Sequence, residues 1–442
     1  MDARALGYLR TLVLAALLGI PAAFAAVLFQ TVLHDATHLV WDVVPDRLDW
    51  SEPPWWYVLL VPGLAGVLVA AAIRLPGHAG HSPLEGLSVG TVRPIDLPSI
   101  LLAALASLSL GLVLGPEAPL IALGIGLGAI AVRLVHLEGT EAQLLTLAGA
   151  FAAIAALFGS PLVAAFLLFE AAAAGGVMPA PALGRALLPG FVAAGTGALI
   201  FTGVGDWPGL HQTELALPPL PAYDTVRIDD LAWCLLLSVV VALVVVACRH
   251  LAHSVAERGS ARPDAALVVA GLAVGAIAVG FRALTDRPVD LVLFSGQLEL
   301  PEIVAEGSAG VLAVLVVAKG LAYALSLGAG FRGGPIFPAL AIGVMLGVLG
   351  ADLLPGLELT PAVAAGMAAG TAAVTRWPFT AVLLATILVG SSAADVVPIA
   401  ILAAAASWVV ATALPNPEDR AAATRSVQEP SIATSPASTT RG

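Results

Sequence analysis

The chain is expected to be an all-α polytopic membrane protein built from two inverted-repeat halves of tilted, broken helices. Three features of its 442 residues carry that expectation. Hydrophobic residues make up 59% and charged residues 11%; glycines and prolines number 45 and 32; and two short motifs recur at nearly one spacing. A soluble domain carries about 25% charged residues and about 45–50% apolar ones. With so little charge, a chain of this length cannot cover a water-facing surface, and the mean hydropathy of +0.97 agrees. Two cysteines are too few for a disulfide scaffold, and the apolar content excludes a disordered chain.

Charge excludes a further class. Nineteen Lys and Arg stand against 30 Asp and Glu, a net charge of −11, and Lys319 is the only lysine. Nucleic acid requires a basic face, so no nucleic-acid partner is expected.

Crossing roughly 30 Å of hydrocarbon takes about 20 apolar residues. Uncharged runs of that order lie at 11–34, 55–73, 97–116, 142–169, 186–205, 231–248, 333–351 and 396–417. The first is too long for a signal-peptide core and reads as a membrane helix. Shorter runs lie at 118–132, 265–281 and 359–375, and Lys319 divides 307–331. Interrupted helices persist in lipid only where their freed backbone groups meet protein or a wet cavity. Half-helices meeting near the midplane are the mark of a transporter or channel.

The acidic segment 35–52, with Trp41 and Trp50 and followed by Trp55 and Trp56, reads as an external loop with an interfacial aromatic belt. The basic segment 249–262 reads as cytoplasmic, as does the N-terminus with Arg4 and Arg10. His78, His81, His250 and His253 read as loop residues without metal-ligand company. Cys234 and Cys248 share one apolar run and are not expected to form a structural disulfide. The chain is expected to be a single membrane domain over 1–415, followed by a disordered polar tail over 416–442.

The repeat is more specific than composition. GPEAPLIALG at 115–124 and GGPIFPALAIG at 333–343 share the frame G-P-x-x-P-x-x-A-x-G, with Gly115 and Gly334 219 residues apart. Downstream, Gly149 and Pro161 match Gly366 and Pro378 at an offset of 217. The halves therefore run over about 50–210 and 230–410.

A Gly-Pro start before an apolar run reads as a helix N-terminus, because proline fits a first turn that has no intrahelical N–H bond to lose. Unpaired N–H groups and about half a positive charge collect there. Two such ends converging in the membrane make an anion site from backbone alone. Within the frame, Glu117 stands where the second half has Ile336. An intramembrane carboxylate is costly and points to function. Ionised, it would occupy the anion site itself; protonated, it would leave. The alternative is a carboxylate that only caps its helix.

The pair GPEAP (115–119) and GGPIFP (333–338), with FGSPLVAAFLLFE (158–170) between, resembles the CLC chloride channels and chloride/proton exchangers, as a divergent bacterial-type member without a regulatory domain. The resemblance runs from about Gly77 to about Pro398. It implies a CLC-like fold with one pore per subunit, a homodimer in the inner membrane, and chloride or another small anion as substrate, with no cofactor or metal. It places the gate at Glu117 and the anion-binding backbone at Gly115, Pro116, Ala118, Gly334, Ile336 and Phe337.

Departures from the family pattern are informative. The frame that sets Gly80 on a motif glycine puts Ala79 where the family has a serine ligand, leaving His81 or Ser82 as substitutes. Pro116 replaces the usual basic residue before the gate, and Pro335 removes a backbone N–H. No tyrosine follows Tyr323, so the family's late central tyrosine is absent. Where exchangers carry two adjacent glutamates, the second an internal proton acceptor, this chain has Glu170 and Ala171. The missing second carboxylate favours a passive anion channel with a protonatable gate, with a chloride/proton antiporter as the alternative and a carrier for an organic solute behind both. No nucleophile–base set suggests an enzyme. Lys319 reads either as a pore cation or as a residue that snorkels or pairs with a buried carboxylate.

Overall fold

The computed structural model describes residues 3–87, 89–174, 180–204 and 217–414; the expected tail at 416–442 lies outside the described residues. Sixteen helices follow in order: α1 (Ala3–His38), α2 (Val44–Arg47), α3 (Trp55–Ile73), α4 (Leu97–Ser109), α5 (Glu117–Val135), α6 (Gly139–Phe158), α7 (Pro161–Ala174), α8 (Ala180–Val204), α9 (Ile228–Gly259), α10 (Pro263–Thr285), α11 (Leu300–Ala305), α12 (Ala309–Ala329), α13 (Ile336–Leu353), α14 (Leu359–Thr375), α15 (Pro378–Val389) and α16 (Ala393–Ala413). Among the described residues, nine helical stretches are long and apolar enough to cross a membrane. The chain is a multi-pass membrane protein.

Glycine and proline decide where the apolar runs break. The run 142–169 becomes two helices, α6 and α7, separated at Gly159-Ser160-Pro161, where Gly159 takes the left-handed conformation (φ 62°). The run 97–116 is helical only to Ser109 and then turns at Leu110-Gly111 into the first motif. Where breakers are absent, helices run past the expected ends. No Gly or Pro stands between Pro21 and Pro45, so the expected external loop at 35–52 is largely helical: α1 reaches His38, and a π-helical turn at Leu39–Val43 leads into α2. Likewise α9 continues to Gly259, which places His250 and His253 on a helix rather than in a loop. Trp41 also departs from the expected belt. It is buried and its Nε1 donates to the carbonyl of Ser109 (3.0 Å), whereas Trp55 and Trp56 are exposed.

Packing repeats between the halves. α5 lies on α6 and α13 on α14, α1 lies on α6 and α8, and α9 lies on α14 and α16. The two central crossings use matched small residues. A Cβ at Gly124 or Gly149 would meet the other's backbone, and the same holds for Gly343 and Gly366. Close backbone approach through small residues replaces the hydrophobic driving force that lipid cannot supply. α3 and α10 join the halves the same way: Gly66 faces Leu267, and Gly275 faces Val58 and Leu59, so the two helices run antiparallel. Cys234 and Cys248 are buried free thiols.

Outside the spans, Arg287 clasps Glu306 across the loop between α10 and α12, with Nε to Oε2 at 2.7 Å and Nη2 to Oε1 at 3.1 Å. Those bonds hold the Glu306 carboxyl below its ordinary value.

Three outcomes follow. Gly366→Val, whose side chain has only the Gly343 backbone to meet, should cost about 3 kcal/mol or more and remove the monodisperse species in size-exclusion chromatography. Gly280→Ala, with open space at its Cβ, should leave that profile intact. Arg287→Gln should lower the melting point at neutral pH by the equivalent of about 1 kcal/mol or less, the clasp being half exposed. A depressed folded-state value gives stabilisation that is complete above the unfolded value of about 4.3 and is lost as pH falls from there through the lower folded-state value. The gap between variant and wild type should therefore close in acid.

Candidate functional site

The two repeated motifs meet back to back. Gly115 N–H donates to the Gly334 carbonyl (2.7 Å) and Gly334 N–H donates to the Gly115 carbonyl (2.6 Å), an isolated antiparallel pairing of residues 219 apart in sequence. Immediately beyond it, Pro116 and Pro335 cap α5 and α13. Both positions need glycine, because a Cβ on either would collide with the Glu117 side chain.

Glu117 is fully buried, and its carboxylate reaches into the other half. Oε1 accepts from the N–H of Ile336 (2.6 Å), the first residue of α13. Proline at 335 supplies no N–H, so the carboxylate sits on the first donor that helix has to offer. Oε2 has no partner among the described residues. The Phe337 ring packs on Phe158 at 5.4 Å between centroids, bringing the FGSP segment to the second motif. Tyr323 Oη donates to the Pro335 carbonyl (2.9 Å) and fixes the turn from below.

Two cavities flank this crossing. One, of about 240 Å³, has Pro116, Gln30, His34, Asp42, Asp290 and Glu299 in its walls. The other, of about 280 Å³, is lined by Gly80, His81, Ser82, Ala118, Arg332 and Gly333 among others. Pro116 and Ala118 thus face different cavities, and buried Glu117 stands between them. The first cavity adjoins the segment 35–52, which the charge pattern leads one to expect on the external side, and the second lies across the crossing from it.

The loop that carries Gly80 is conformationally unusual. Gly77, His78, Ala79 and Gly80 all have positive φ (93°, 50°, 60° and 72°), which costs about 1–2 kcal/mol at each non-glycine. Ala79 N–H is satisfied by the buried hydroxyl of Ser99 (3.2 Å). Ser82 Oγ accepts from Leu84 N–H (3.4 Å), and His81 keeps an exposed place on the cavity wall.

Glu170 sits apart from the crossing. Its carboxylate accepts from the N–H groups of Phe379 (3.1 Å) and Thr380 (2.7 Å) and from the Thr380 hydroxyl (2.7 Å), so it caps α15. Ala171 is buried beside it. Lys319 neither snorkels nor lines either cavity. It is fully buried and donates to the carbonyls of Leu291 (3.0 Å) and Leu293 (2.8 Å). Two participants were not singled out from sequence: Tyr323 as an anchor of the second motif, and Arg332 on the second cavity. The available signal for Arg332 was position, since it directly precedes the second motif.

Residues 79–411 match the family model described as voltage gated chloride channel. The chain belongs to this family. It is 27% identical over 407 residues to the ion-transport protein YfeO of Escherichia coli (strain 55989 / EAEC), covering 90% of this chain and 92% of that one. YfeO of Shigella boydii serotype 4 (strain Sb227) matches at the same identity and coverage. The fold is similar to that of a slow cyanobacterial Cl−/H+ antiporter, with a TM-score of 0.77, 21% identity, and 95% and 99% of the two chains covered. A CLC-type fluoride/proton antiporter aligns at a TM-score of 0.66 and 18% identity, over 94% and 98%.

The three bonds on Glu170 make it a cap first. Glu170→Ala should lower the thermal stability of the detergent-solubilised protein by about 2 kcal/mol, the upper end for losing an N-cap, as read in a melting curve.

Proposed function

We propose that the protein passes chloride or a similar small anion through the passage between the two cavities, with Glu117 as its protonatable gate. The observation that carries this reading is the Glu117 carboxylate on the Ile336 N–H. A helix N-terminus inside a membrane binds negative charge whatever its source, so the carboxylate occupies the place a permeant anion needs. Protonation removes the charge that holds it there, and an anion then takes the N–H groups of Ile336 and Phe337.

The reading favours passive conduction. A proton exchanger needs a carboxylate free to load from the cytoplasmic side; Ala171 offers none, and the Glu170 oxygens are held by three donors. Chloride/proton exchange is the second reading, supported by the two structural neighbours, a Cl−/H+ antiporter and a fluoride/proton antiporter. A channel or transporter, rather than an enzyme, is inferred. The two matched motif sets support one membrane unit of two homologous halves, and we place it as a homodimer in the inner membrane.

Chloride-loaded vesicles carrying the purified protein should release chloride, faster in mild acid, with a steep limb of up to about tenfold per pH unit while the gate is ionised. Glu117→Gln, a permanently neutral side chain, should hold the fast rate at every pH. A variant that keeps the wild-type pH dependence would return Glu117 to a capping role. An external pH electrode separates the two modes: passive conduction gives no uphill proton movement on a chloride gradient, and exchange gives it.

A further inference from the structure

Arg332 sits on the wall of the second cavity, one residue before the Gly333-Gly334 turn. Its backbone is fixed, because its N–H donates to the hydroxyl of buried Ser107 on α4 (3.0 Å). Its guanidinium is under-used. Nη2 makes a long bond to the His78 carbonyl (3.4 Å), and the Nε–H is buried without an acceptor among the described residues. A buried donor left without a partner costs about 1–3 kcal/mol unless a ligand fills the place.

Among the described residues no acid forms an ion pair with it. Asp96 lines the same cavity, but both of its oxygens are taken by Arg93 (2.9 and 3.0 Å), which holds its carboxyl below the ordinary value. Glu85 lies close enough to favour the positive charge without forming an ion pair with it. His78 and His81 are the other titratable groups on this loop. Lys319 is committed to the carbonyls beyond the crossing.

A guanidinium on the wall of a cavity that ends at the first turn of α5, its Nε–H unpaired just beneath that wall, is suited to hold a small inorganic anion. Its planar fork can grip a halide between two N–H groups or an oxyanion through two oxygens. We propose that Arg332 is the loading site for the transported anion at the cytoplasmic end of the passage. It supplies a side-chain cation where the crossing itself offers only backbone. The proposal rests on the anion-transport reading above.

The test uses vesicles of wild type, Arg332→Gln and Arg332→Lys, with initial chloride efflux measured against internal chloride. Arg332→Gln should raise the half-saturating chloride on the order of tenfold, the loss of one charge-assisted hydrogen bond, while largely keeping the maximal rate. Arg332→Lys should recover most of the affinity. Unchanged half-saturation in Arg332→Gln, or equal impairment in both variants, would overturn the proposal. If Arg332→Gln does not fold, the wild-type protein decides: chloride should slow phenylglyoxal modification of Arg332, read by mass spectrometry, and absence of protection overturns the proposal. The two readings fail separately. Wild-type vesicles without chloride flux sink the transport reading, whereas wild-type flux with an indifferent Arg332 sinks only this one.

Discussion

The structure is organised around one contact, in which a carboxylate from the first half is held on the N-terminus of a helix from the second. A bare carboxylate in a nonpolar interior is prohibitively costly, and so is a helix end with unpaired N–H groups. Each group resolves the other's problem, and neither half can do so alone. The pairing of Gly115 with Gly334 sets the distance, and the glycines are required because any side chain there would fill the space of the Glu117 carboxylate. In the reading proposed above, the same contact is the one an entering anion must break.

The surrounding scaffold keeps that contact in register. The α5/α6 and α13/α14 pairs cross through glycines at matched positions, which brings helix ends rather than helix flanks to the centre. Tyr323 and Phe158 then fix the second motif from two directions. Lys319 holds two carbonyls of the loop that forms part of the first cavity. A buried lysine next to acidic neighbours invites a reading as a pore cation; its hydrogen bonds show a strut.

The two halves share a frame but not a chemistry. The first contributes the two carboxylates that reach across to cap helices of the second, Glu117 on α13 and Glu170 on α15. The first cavity is lined by Asp42, Asp290 and Glu299, while the opposite one presents Arg332. A symmetric scaffold therefore carries an asymmetric distribution of charge.

The class of fold was legible in the sequence because lipid imposes few rules and imposes them strictly: apolar length, breakers only where backbone can be satisfied, and a repeat that preserves both. The motif residues were legible for the same reason, since Gly-Pro starts and a lone carboxylate in an apolar run have few uses. Loop boundaries were less so. The segment at 35–52 is acidic and still helical, because charge does not end a helix when no Gly or Pro does. What sequence could not decide was which end Glu117 caps, whether Glu170 is free, and where Lys319 and Arg332 point. Those depend on contacts between residues some 30 to more than 200 positions apart, and local pattern carries no distance across the chain. The sequence determined the kinds of groups available; only packing determined which N–H each carboxylate meets, and with that which charges are neutralised and which remain for an anion.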